Sequence, residues 1–140
     1  MKSKELQDIE NLLKIKFQIK QKSFLILVAE ENRLRSQLSK IDDQSRLNES
    51  SHVHEIRAIG ADVAWKSWVD RSKRTLNMEL AHILAQKDQV RAKVKNDYGK
   101  VLVSGELRKS KYKQEIGTLQ RRKLAAAVHS HFRLQGTGKQ

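Results

Sequence analysis

LQDIENLLKIKFQIKQKSFLILVAEENRLRSQLSKI, residues 6 to 41, decides the fold. Stepping alternately by four and three from Leu6 visits Leu6, Glu10, Leu13, Phe17, Lys20, Phe24, Leu27, Glu31, Leu34, Leu38 and Ile41, and eight of these eleven are apolar. A repeat averaging about 3.5 residues keeps one narrow stripe turned toward a partner helix, which is a coiled-coil seam rather than the broad face of a globular-domain helix. The same stepping from Val69 visits Val69, Lys73, Leu76, Leu80, Ile83, Lys87, Val90, Val94, Asp97 and Val101, seven of ten apolar. Two matching seams in one chain predict an all-α fold: a long two-helix antiparallel coiled-coil hairpin whose second helix is the longer and more basic.

The predicted single coiled-coil domain has a helix over about 4–47, a connection over about 48–60, a helix over about 61–132 and a mobile tail over 133–140. Ser3 is placed to cap the first helix, with Glu5 and Asp8 complementing its dipole. The stretch 48–60 holds Asn48, Ser50, Ser51, His52, His54 and Gly60 and breaks the periodicity. After Val101 the apolar seam drifts, with Leu107, Tyr112, Ile116 and Leu119 only loosely in step. At about 1.5 Å per residue the second helix outreaches the first, so an antiparallel fold leaves a C-terminal overhang. Gly99, Gly105 and Gly117 weaken helix in that region.

Composition fits a thin fold. Charged residues make up 32% of the chain and aromatics number seven, little material for a thick core, and no proline interrupts long helices. No cysteine is present, which excludes disulfides and a thiol nucleophile. The longest apolar run, Phe24 to Ala29, is far short of the roughly 20 residues that span a bilayer, and residues 1–20 are too polar for a signal peptide. The expected state is soluble and cytoplasmic, with no membrane insertion.

The net charge of +13 is uneven: residues 107–140 hold nine Lys and Arg against one acid. Such an excess draws the segment toward an acidic surface. Arg108, Lys109, Lys111, Lys113, Arg121, Arg122 and Lys123 are the candidates for contacting an acidic protein channel, or the phosphates of a nucleic acid. Against nucleic acid, only Tyr112 interleaves with the basic residues, and no known binding motif is present.

No constellation for catalysis, cofactor or metal emerges. His129 and His131 diverge by about 200° on a helix and make poor joint ligands, and His82 stands alone. Gly136-Thr-Gly138-Lys139 lacks the strand, the spacing and the hydroxyl of a phosphate loop. The pair Asp42-Asp43 is expected on the solvated end of the first helix.

Trp65 and Trp68 are the only tryptophans and sit three apart on one face at the start of the second helix. They close the hairpin tip or present a partner-binding patch, and a two-helix tip has no third layer to cover both rings. The stretch Trp65-Lys-Ser-Trp68-Val69-Asp-Arg-Ser72-Lys-Arg-Thr75-Leu76, followed by Gln86-Lys-Asp-Gln89-Val90, resembles the signature opening the second helix of the FliJ family of flagellar export stalk proteins. The early Leu12-Leu13-Lys14-Ile15-Lys16 run, the Leu34 to Ile41 heptads, the loop position, the basic balance and the length are similar too. Trp65 and Trp68 stand where tyrosine and phenylalanine are commoner, Ser72 where leucine is expected, and Gly99 and Gly105 are unusual.

The resemblance implies a non-enzymatic stalk and adaptor of a flagellar or type III secretion export ATPase. Helix ends would enter the pore of the hexameric ATPase, and the tip would meet an export-gate protein through Trp65, Trp68, Ser72, Thr75 and Leu76. Export chaperones are further implied partners, and the inner-membrane export apparatus the implied location. The competing readings are a basic helical nucleic-acid-binding protein and a dimeric coiled-coil scaffold.

Overall fold

A computed structural model describes residues 2–51, 60–136 and 138, with the side chains of Ser50 and Ser51 outside the description. Two helices form: α1, Ser3–Ser51, and α2, Ala61–Gly136. They pack against each other as the antiparallel hairpin that the two seams predict. Both helices run about four residues past their expected ends. Within the expected connection, 48–51 is helix, and Gly60 takes a left-handed backbone (φ 73°) that favours glycine, its carbonyl accepting from Ala64 N–H. Residues 52–59, with His52 and His54, lie outside the described residues, as do 137, 139 and 140 of the expected tail. No helix among the described residues is long and apolar enough to cross a membrane.

The chain divides into two compact units, one of residues 18–95 and one of 1–17 with 96–140. In the first, partner numbers fall along α2 as they rise along α1, the mark of antiparallel pairing. Phe24 lies under Lys87 and Arg91, Glu31 pairs with Lys87, and Asp42 with Lys73. The three buried hydrophobic residues of the described chain, Leu34, Val69 and Leu80, are all here. Every predicted seam residue from Lys20 to Ile41 and from Val69 to Val94 is buried or half-buried. Asp42, expected to be solvated, is half-buried, because it reaches across to Lys73; Asp43 beside it is exposed.

The second unit has the same pairing and a different chemistry. Its buried residues are Glu10, Asp97 and Ser104, all polar. The seam does not drift after Val101 as the apolar count predicted. It steps on through Ser104, Arg108, Lys111 and Glu115, each buried or half-buried, whereas Leu107, Tyr112, Ile116 and Leu119 are exposed. Ser3 does not cap α1 in the expected way either. Lys2 takes the cap position, its carbonyl accepting from Leu6 N–H and its own N–H donating to Glu5. That leaves Ser3 N–H as an orphan donor of the first turn, and Glu115 of α2 accepts from it at 2.9 Å and from the Ser3 hydroxyl at 2.6 Å. Here α1 begins opposite Glu115, so α2 continues alone from Ile116 to Gly136. Along 118–136 every residue is exposed.

Candidate partner-binding surfaces

Near the start of α2, three-residue spacing stacks Trp65 on Trp68, ring centroids 5.0 Å apart and planes inclined by 24°. Trp68 is 44% exposed, while Trp65 is half-buried with its indole nitrogen buried and without a hydrogen-bond partner among the described residues. The pair is therefore an aromatic platform with one open face rather than a closed plug. One turn further, Ser72, Thr75 and Leu76 line an open groove of about 520 Å³ between α1 and α2. The other wall comes from Gln37, Lys40 and Ile41, with Arg71 at the rim.

This groove is apolar at its floor, where the seam residues Ile41 and Leu76 lie, and cationic at its edge. Lys40 and Arg71 have no carboxylate of the described residues within 4 Å, so their charge faces outward. The Thr75 hydroxyl donates to the Arg71 carbonyl at 3.0 Å, leaving its lone pairs free to accept. Three of the five residues expected at the tip surface thus share one cavity, and the two tryptophans lie a turn or two away on the same side of α2. The contribution of α1 was not visible in a motif confined to α2. Only the register brings Lys40 and Gln37 to it.

The seven basic candidates separate into two groups. Arg108 is spent inside the fold: it donates to Glu10 at 2.5 Å, while Lys14 holds the other oxygen of the same carboxylate at 2.9 Å. Those hydrogen bonds, from Lys14 first and then Arg108, hold the Glu10 carboxyl below the usual carboxylate range. Lys111 is half-buried on the seam next to Glu115, whose acidity is raised chiefly by its two hydrogen bonds from Ser3. Lys109 pairs loosely with Glu106 at 3.5 Å, and Lys113 is exposed. Four of the seven accordingly lie along the paired helices rather than on the overhang.

Arg121, Arg122 and Lys123 are on the unpaired extension of α2, exposed and with no carboxylate of the described residues within 4 Å. Consecutive helical residues diverge by about 100°, so the three charges spread over roughly 200° of the helix circumference. Residues 116–136 contain these three, Arg133 and no acid. Leu119, Leu124, Val128 and Phe132 are exposed among them.

Of the histidines, His82 bonds Gln86 and His131 bonds Gln135, each at 3.2 Å one turn along the same helix, and His129 is exposed. Compared with known proteins, the chain matches no family model, no curated protein and no solved structure.

Proposed function

We propose that this chain is a non-enzymatic stalk and adaptor of a flagellar or type III secretion export ATPase. The observation that carries the reading is the extension of α2 beyond Glu115, a bare helix that carries Arg121, Arg122, Lys123 and Arg133 and no acid. A helix with no packed face lacks the tertiary contacts that supply most helical stability, and a positively charged one gains from an acidic wall around it. The central pore of a hexameric ATPase has that shape. The Trp65 and Trp68 platform and the groove at Ser72, Thr75 and Leu76 form the surface for the export-gate protein, with export chaperones as further partners.

The test is co-purification with the ATPase of a flagellar or type III secretion export system. Arg121→Glu, Arg122→Glu and Lys123→Glu together should abolish association while circular dichroism shows unchanged helix content. A wild-type chain that ignores the ATPase but binds duplex DNA, with affinity falling steeply as salt rises, would replace this reading with nucleic-acid binding.

A further inference from the structure

Outside the tip and the extension, the unit of residues 1–17 and 96–140 carries an apolar flank that its own pairing does not use. Ile9 and Leu12 of α1 and Val103 and Leu107 of α2 each immediately precede a seam position: Glu10, Leu13, Ser104 and Arg108. Residues just before the seam on two antiparallel helices lie along the same side of the pair. The contact of Glu10 with Arg108 sets Ile9 level with Leu107, and Leu12 and Val103 follow one turn on. Exposures of 39%, 67%, 60% and 55% respectively show that the two helices do not cover these side chains. Two-helix coils ordinarily place polar residues there, and four aliphatic groups from both helices at two successive levels form a shallow greasy channel.

From this geometry we infer that the channel docks a third helix, supplied by a partner protein, with an apolar stripe bordered by acidic residues. Apolar residues beside the seam are what a coil needs to accept another strand, because the added helix packs on the seam's flank. The charge selects its chemistry. Up to Glu115, residues 1–17 and 96–115 hold nine Lys and Arg against six Asp and Glu. Three of the acids, Glu10, Asp97 and Glu115, are turned inward toward Arg108 and Lys14, toward Lys16, and toward Ser3. One turn beyond the aliphatic groups, Lys16 and Lys100 fall on the same flank. Lys100 has no carboxylate of the described residues within 4 Å. A second copy of the chain would bring the same positive excess to the contact, whereas a helix edged with glutamate meets complementary charge.

This inference stands apart from the proposed function, since it uses neither the tip groove nor the residues beyond Glu115. Two fluorescein-labelled synthetic peptides of about 28 residues, long enough to hold helix, share one leucine and isoleucine heptad stripe. One is flanked by glutamate and the other by lysine. Anisotropy titration of the full chain should show saturable binding of the glutamate peptide, with the lysine peptide at least tenfold weaker. Leu12→Gln with Val103→Gln should weaken the glutamate peptide at least tenfold while helix content is kept, and Leu25→Gln, at an exposed site in the other unit, should leave it unchanged. Absence of saturable binding, equal binding of both peptides, or indifference to the double variant overturns the inference. So does concentration-dependent dimerisation of the wild type that the double variant abolishes, because the channel then belongs to a second copy.

Discussion

Leu34 is the one side chain of the described residues that is completely enclosed, at 0% exposure. The pairings of Glu31 with Lys87 and Asp42 with Lys73 set it opposite Leu80 and Ile83. Leu34→Ala removes three buried carbon atoms and leaves a hole between two helices. Full burial of a leucine contributes about 1.5–3 kcal/mol by transfer, and Leu→Ala in well-packed cores costs about 2–5 kcal/mol once the cavity is included. A two-helix layer can close around the gap more easily than a thick core, which places the expected loss near the lower end, about 2–3 kcal/mol. In urea unfolding followed by circular dichroism, with a slope of about 1–3 kcal/mol/M, the midpoint should fall by roughly 1 M or more. The matched control is Leu25→Ala, 58% exposed in the same unit, which should shift stability by no more than about 0.5 kcal/mol. Equal shifts for the two variants would falsify the seam as the source of pairing energy.

Three other outcomes are expected. Glu10, Glu31 and Glu115 all bind protons less tightly folded than unfolded, through hydrogen bonds led by Lys14, Lys87 and Ser3, so their stabilisation is fully present above about pH 4.5 and is lost as pH falls below it; urea midpoints at pH 7 and pH 3 check the sign. Gly99→Ala, whose new methyl meets nothing within 4 Å, should raise stability by about 0.5–1 kcal/mol, whereas Gly60→Ala should lower it because φ is +73°. Trp68→Ala should leave the thermal midpoint within a few degrees and weaken a tip partner, while Trp65→Ala should depress the midpoint more, as befits the better buried ring.

The seam from Leu6 to Ile41 and from Val69 to Val101 was legible because apolar residues at 3.5-residue spacing arise where one helix lies along another and in few other folds. All of its members are buried or half-buried, the polar ones included. Counting apolar residues lost the trail at Ser104, Arg108, Lys111 and Glu115, where the helices are held by hydrogen bonds and ion pairs that leave no hydrophobic signal. The same blindness assigned Arg108 to a partner when its partner is Glu10, far away in sequence. Lys40 escaped notice at the tip for a related reason: a groove between helices is a property of register, and a motif read along one helix cannot supply the other wall.

Those polar contacts have a second consequence, since a coil with few buried apolar residues is free to slide by a heptad unless something forbids it. Moving α1 one heptad toward the end of α2 would set Glu10 level with Glu115, two carboxylates together. Moving it the other way would set Glu10 against Val101, with no cation from α2 and only Lys14 of its own helix beside it. The pairing of Glu10 with Arg108 therefore fixes where α1 begins against α2, and with it how much basic helix projects past Glu115. Close approach supports the fit: a methyl on Gly105 would lie 3.5 Å from the Glu10 carboxylate. Glu10→Leu with Arg108→Leu should keep the helices paired, because leucine suits both seam positions, while losing the single register. In the cysteine-free chain, Gln7→Cys can be joined by a short bismaleimide either to Tyr112→Cys, its level in the native register, or to Leu119→Cys, one heptad along. With Glu10 and Arg108 intact only the first pair should cross-link efficiently; in the leucine background the second should rise to a comparable yield. If the leucine background still gives the first pair alone, steric fit rather than charge pairing sets the register, and the length of the basic extension is determined by Leu6, Leu13, Phe17 and Val101 instead.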